Sequence, residues 1–284
     1  MSDIVNTPTD FQQAYVFDMD GTIYLGDHLL PGAKRMIEEL RRRGIPVRFL
    51  SNNPTKDPQQ YVEKLERLGL PTDISDISNT VVTTTNWLKA NHPDAKVFAI
   101  AEEPLKRSLR EAGIELSEDP EQIDIVIASY DRGFDYRKLQ IAFDAIWFHK
   151  RAILVQTNPD RFCPFPGGRG EPDCAAITAA IEACTGTTCQ VNFGKPSPVM
   201  LTAALEGLDV AVEHCVMVGD RLQTDIQMAL DTGMGSACVL TGEATADDIR
   251  ALDDDHRPSW VLDRIDKLIP ASAWAELGWT ENDD

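Results

Sequence analysis

Residues 14–24, AYVFDMDGTIY, constrain what this chain can fold into more than any other stretch. The run Ala14, Tyr15, Val16, Phe17 has the composition of a strand buried on both faces, as in a parallel sheet. It breaks off at Asp18, Met19, Asp20, Gly21 and Thr22. Ligands in open α/β sheets sit just beyond the carboxyl ends of the strands, which puts these two acids where chemistry is done. In extended backbone, residues i and i+2 point the same way, so Asp18 and Asp20 can address one substrate. Gly21 allows a sharp turn or a close approach to a ligand. Neighbouring carboxylates repel unless a cation lies between them, and hard oxygen ligands suit Mg²⁺. Taken alone, the string reads equally well as an ordinary strand-to-turn junction, because Asp and Gly both favour turns.

The rest of the chain supplies the context. Residues 33–43 carry Met36, Ile37 and Leu40 at helical spacing, with Gly44 where a helix C′ glycine belongs. Residues 45–50, IPVRFL, form a second predicted strand that runs into Ser51, Asn52 and Asn53, and a helix over 59–68 is closed by Gly69. This alternation predicts an α/β protein built on a doubly wound parallel sheet. The pattern then restarts, with predicted strands at 96–100, 123–129 and 152–157 and helices at 79–90, 102–112, 135–150 and 173–184. Residues 161–172, RFCPFPGGRGEP, are rich in Pro and Gly and read as an exposed loop. After Gly194, Lys195 and Pro196 the first pattern returns. A helix at 198–206 leads to a strand at 214–218 that ends in Gly219 and Asp220, then a helix at 222–231 and strands at 236–240 and 260–262. Residues 1–13 read as a tail, and 253–255 and the final ENDD as solvated or frayed.

Four strand or loop ends carry the reactive inventory: Asp18 with Asp20, Ser51 with Asn52, Lys195, and Asp220 with Asp225. The set fits phosphoryl transfer with a carboxylate nucleophile and a divalent metal. One acid attacks phosphorus, a second protonates the departing alcohol and later deprotonates water, and hydroxyl, N–H and ammonium groups hold the phosphoryl oxygens. With 46 acids against 27 bases the formal net charge is −19, a surface that repels nucleic acid and anionic lipid. An anion site must then be local, made from placed cations and backbone N–H groups. The first residues lack the regions of a signal peptide, and no apolar run approaches a membrane span, so the expected address is cytoplasmic. The six cysteines show no CxxC spacing and stand apart from the five histidines, which argues for buried thiols over zinc or disulfides.

The order and spelling of these motifs resemble the haloacid dehalogenase (HAD) superfamily of phosphatases, subclass IIA, the NagD or p-nitrophenylphosphatase type. DMDGT at 18–22 matches the family's first motif, with IYLG and LLPGA flanking it as in this branch. Ser51–Asn52–Asn53 matches the second, Gly194–Lys195–Pro196 the third and GDRLQTD at 219–225 the fourth. TNPD at 157–160 also recurs in this branch, and the similarity spans roughly residues 14–242. The resemblance implies a Rossmann-like core with an inserted α/β cap of the C2 type: core at 1–83 and 191–284, cap at 84–190. It implies a Mg²⁺-dependent phosphomonoester hydrolase of small phosphorylated metabolites that works through an aspartyl-phosphate. Asp18 would be the nucleophile and Asp20 the general acid/base. Asp18, the main-chain carbonyl of Asp20 and Asp220 would hold the metal, with Asp225 bound through water or orienting its ligands. Ser51 and the N–H of Asn52 would grip phosphate with Asn53 in the same loop, and Lys195 would neutralise nucleophile and phosphate.

Within the expected cap, the 161–169 loop is the candidate reader of the leaving group, with Arg161 and Phe165 the first residues to test. The family's caps dimerise in some members and not in others, so a homodimer is compatible with the resemblance. Two other readings use the same inventory: a phosphomutase, and a phospho-accepting switch of the receiver type. Receivers are much shorter and lack an acid two residues after the phosphorylated Asp, which favours the enzyme. Arg41–Arg43 read as a solvated helix end favoured by the helix dipole, and Trp87 and Trp147 as packing residues.

Overall fold

In the computed structural model, which describes residues 4–165 and 168–281, the apolar run forms the strand Ala14–Asp18, whose first four residues are fully buried. It lies inside a six-stranded sheet. The order runs Trp260–Leu262, Gly235–Val239, Cys215–Gly219, Ala14–Asp18, Val47–Ser51 and Ile77–Asn79. The first five of these pair in parallel. A central strand in a parallel sheet is covered on both faces, which is why its sequence does not alternate.

The described chain divides into two compact units. One draws on residues 4–51, 62–78 and 201–281, and the other on 52–61 and 79–200. In the first unit, helix Ala33–Arg42 buries Ala33, Met36, Ile37 and Leu40 at the spacing of one helical face. Its arginines do more than meet solvent. Arg42 and Arg43 each place Nε 2.6 Å from the buried carboxylate of Glu39, Arg43 lies over the Phe11 ring, and Arg41 donates to the Pro71 carbonyl at 2.7 Å. The Arg42 hydrogen bond leads the effects that hold the Glu39 carboxyl below its usual range. The described part of the expected tail is also docked: Asn6 exchanges main-chain and side-chain hydrogen bonds with Val261 at the sheet edge.

The C-terminal segment, unread in the sequence, forms helix Ala271–Leu277. It is joined to the first helix through Asp266, which is fully buried. Arg35 donates to its carboxylate at 2.5 Å and Arg264 at 3.0 Å, while the Arg35 guanidinium sits between the rings of Trp274 and Trp279 at 4.6 and 4.7 Å. A side chain at Gly32 would run into this carboxylate, at 2.2 Å from Cβ to Cγ. Removing the buried carboxylate strips its partner from two partly buried cations, so Asp266→Ala is expected to lower unfolding free energy by about 3 kcal/mol. A urea melt checks this; a loss under about 1 kcal/mol would mean the arginines find water instead.

The second unit carries its own five-stranded parallel sheet. The order is Val191–Asn192, Ile153–Gln156, Ile125–Ala128, Lys96–Ile100 and Glu115–Leu116. Alternate residues feed two separate cores. Phe98, Ile100, Val126 and Leu154 pack with helices Tyr136–Phe143 and Cys174–Thr185, whereas Val97, Ala99, Ile125 and Val155 pack with helices Thr80–Asn91 and Glu103–Glu111. Trp87 packs on Phe193 at 5.2 Å as expected, but Trp147 stacks on Phe143 with half its surface exposed. The expected loop at 161–172 is instead a hairpin of Phe162–Phe165 with Arg169–Pro172. Pro166 and Gly167 of that loop, the first three residues and the last three lie outside the described residues. The six cysteines form no disulfide among the described residues, and burial pushes the thiols of Cys174 and Cys189 up to about 11 and Cys238 to about 12. No helix among the described residues is long and apolar enough to cross a membrane.

Candidate active site

Sheet register brings three distant pieces of the first unit to one level. Asp18 pairs with Leu50, so Ser51 stands one residue beyond it; Phe17 pairs with Val218, so Gly219 and Asp220 follow on the other side. The outcome is a cluster in which carboxylate oxygens of Asp18, Asp220 and Asp225 lie within 4.8 Å of one another. Asp220 and Asp225 are buried and Asp18 partly so.

Glycines make the convergence sterically feasible. A Cβ at Gly242 would lie 2.0 Å from Asp220 Oδ2, and one at Gly219 would lie 2.2 Å from Asp225 Oδ2. Gly21 combines a φ of 85° with a would-be Cβ contact of 2.5 Å to Asp220, so both its conformation and its place exclude a side chain. Donors from the segment 241–244 then hold Asp220 and the Gly21 turn. The Glu243 N–H donates to Asp220 Oδ2 at 2.7 Å, the Ala244 N–H to the Asp220 carbonyl at 2.9 Å, and the Thr241 hydroxyl to the Gly21 carbonyl at 2.7 Å. That segment, just beyond the strand expected at 236–240, therefore keeps both in place. The expected helix at 222–231 opens with a π-helical turn over Leu222–Ile226 before helix Gln227–Thr232. Widening this turn lets Asp225 accept from the Arg221 N–H at 3.1 Å.

Asp20 stands apart from the cluster. Its side chain is 62% exposed, accepts from the hydroxyl of buried Tyr24 at 3.2 Å, and lies 4.0 Å from the ammonium of Lys64, which itself sits over the Tyr24 ring. Neither Tyr24 nor Lys64 was singled out in the sequence, because nothing in their spacing ties them to Asp20.

The remaining expected residues lie in the second unit. Asn52 is buried; its carboxamide oxygen accepts from the Lys195 N–H at 2.7 Å, and its amide donates to the Lys195 carbonyl at 3.2 Å. Lys195 is itself 2% exposed. Asn53 turns its carboxamide oxygen onto its own loop, accepting from the N–H and hydroxyl of Thr55. Arg161 and Phe165 are both exposed, and the hairpin register sets Phe165 opposite Arg169. The hairpin is tied down by Glu171, which accepts from the buried Tyr130 hydroxyl and from Arg132 at 2.7 Å. Burial first, and this hydrogen bond second, push the Tyr130 phenol well above its ordinary range.

Three carboxylates in contact range form an all-oxygen donor set, which fits a hard divalent cation such as Mg²⁺ and offers nothing to a soft metal. A parallel sheet with acids gathered at its strand ends is the arrangement of a Rossmann-like α/β protein with its ligand site beyond the carboxyl ends of the strands. Comparison with known proteins narrows that class. Residues 15–115 match the haloacid dehalogenase-like hydrolase family, and residues 192–268 a HAD-hydrolase-like family. The acid sugar phosphatase of Staphylococcus aureus is 34% identical over 239 residues, 84% of this chain and 90% of that protein. Among solved structures, 4-nitrophenylphosphatase from Thermotoga maritima superposes with a TM-score of 0.84 at 31% identity, covering 90% of this chain and 96% of that one. NagD from Escherichia coli K-12 gives 0.80 at 26% identity, over 90% and 98%. The chain belongs to the haloacid dehalogenase-like hydrolases, in the branch of NagD and the p-nitrophenylphosphatases.

Proposed function

We propose that this enzyme is a Mg²⁺-dependent phosphatase of small phosphorylated metabolites, sugar phosphates foremost, working through a phosphorylated Asp18. The observation that carries the reading is the carboxylate cluster of Asp18, Asp220 and Asp225, in a chain whose relatives include an acid sugar phosphatase and a 4-nitrophenylphosphatase.

Asp18 supplies the attacking oxygen. Its bond to phosphorus forms as the ester oxygen departs, and Asp20 gives that oxygen a proton. A water then attacks the phosphorus, Asp20 takes its proton, and the Asp18–phosphate bond opens to release inorganic phosphate. Asp18, Asp220 and the main-chain carbonyl of Asp20 would hold Mg²⁺, with Asp225 orienting the set. Bound there, the ion lets anionic nucleophile and anionic ester approach and offsets charge on the phosphoryl oxygens. Ser51, the Asn52 N–H and Lys195 grip those oxygens, Asn53 shapes the loop, and residues 84–190 serve as the cap, with Arg161 and Phe165 reading the leaving group.

A phosphate-release screen over phosphorylated metabolites, ranked by kcat/KM, tests the reading. Free inorganic phosphate in step with alcohol is expected; phosphate handed to a second hydroxyl would make the enzyme a mutase. EDTA is expected to silence turnover and excess Mg²⁺ to restore it, and full activity in EDTA would refute the metal's role.

A further inference from the structure

The TNPD stretch at 157–160 has no part in the chemistry just described, yet it sits in a buried polar network of the second unit. Thr157 and Asn158 are fully buried. The Thr157 hydroxyl bonds Ser129 and the Asn158 carboxamide oxygen; the Asn158 amide in turn donates to Asp160 at 3.0 Å and to Asp173 at 3.1 Å. Asp160 Oδ2 also accepts from the Asn52 amide at 3.2 Å. Asn52 then grips both the N–H and the carbonyl of Lys195. Because one end of that carboxamide must accept and the other donate, Lys195 fixes which way Asn52 faces, and only its amide end remains for Asp160. The packing leaves no slack: a Cβ at Gly194 would lie 2.7 Å from Asn52 Oδ1 and 2.9 Å from the Thr157 carbonyl.

We propose that Asp160 is a positioning residue for the reaction, acting through the Asn52 carboxamide to set the main chain of Lys195. The inference rests on the reading that Lys195 serves the phosphoryl group. An anchor of this kind matters because phosphoryl transfer is catalysed largely by placement, and a lysine stem offset by an ångström at its root misplaces the charge at its tip. A carboxylate suits the post better than a hydroxyl, since one oxygen accepts from Asn52 and Asn158 together.

The test uses the whole chain with 4-nitrophenyl phosphate and Mg²⁺, and pairs kinetics with urea melts. Asp160→Ala is expected to lower kcat by about 10- to 100-fold while KM moves less than about threefold. Asp160→Asn should retain kcat within about threefold, because its carbonyl oxygen can still accept from both amides. Asn52→Leu, which keeps the main-chain N–H, should reproduce the Ala loss and serves if Asp160→Ala does not fold. Adding Asp160→Ala to Asn52→Leu should then cost nothing further, the non-additivity expected of residues acting in series. Additive losses, an Asn variant as poor as the Ala variant, or undiminished kcat in a folded Asp160→Ala would overturn the proposal. Lys195→Ala, run alongside, separates the two readings: if it leaves turnover intact, the role given to Lys195 fails, whatever Asp160 does.

Discussion

Asp18→Asn is expected to lower kcat by more than about a thousandfold while the protein stays folded. The change swaps one oxygen for an NH₂ of nearly equal size, so the buried strand Ala14–Asp18 and its pairing with Val47–Ser51 and Cys215–Gly219 have no reason to shift. On the proposed mechanism what is lost is the nucleophile, because an amide cannot attack phosphorus and turn over. Stability should move the other way. Asp18, Asp220 and Asp225 crowd like charge into a space of a few ångströms, and taking one charge away relieves repulsion in the metal-free protein. Urea melts in EDTA should therefore place the variant level with wild type or slightly above it, and added Mg²⁺ should raise the wild type's midpoint more than the variant's. Activity near wild type would dispose of the covalent mechanism. An unfolded variant would instead show that the carboxylate is structural.

How much of this could be read in the sequence follows from where information is local. The strand Ala14–Asp18 announced itself because burial on both faces writes a continuous apolar run, whereas the acids beyond it stood out from an ordinary turn only beside the motifs at 51–53, 194–196 and 219–225. The second unit's doubly wound sheet was legible for the same reason, through strands such as Ile125–Ala128. The hairpin at 162–172 was not: Pro164 and Gly170 are poor strand residues, and the Tyr130 and Arg132 side chains that bond its Glu171 lie about 40 residues back in the chain. Likewise, nothing in the spelling of residues 222–231 announced a π turn, whose consequence, Asp225 accepting from the Arg221 N–H, shows only in three dimensions. Asn52 illustrates the limit within a motif. Its position was legible, but its side chain's commitment to Lys195 depends on a partner 143 residues away.

The second large effect concerns Asp20, whose setting differs from that of the clustered acids. Its carboxylate is largely in solvent beside the Tyr24 hydroxyl and the Lys64 ammonium, outside the group of acids whose oxygens lie within 4.8 Å of one another. Asp20→Asn is expected to cost about 10²- to 10⁴-fold in kcat with an alkyl phosphate such as a sugar phosphate, whose leaving oxygen needs a proton. With 4-nitrophenyl phosphate the leaving group departs as a stable anion, so phosphorylation of Asp18 should stay comparatively fast. Hydrolysis of the phosphoenzyme still needs a base to take the proton of water and becomes rate-limiting. A rapid-mixing experiment should accordingly show a burst of nitrophenolate near one equivalent per enzyme, then slow steady turnover, and acid quenching should trap phosphate on the protein. Equal losses on the two substrates with no burst would refute the acid/base assignment. A change confined to the Mg²⁺ concentration needed for activity would move Asp20 into the metal's ligand set instead.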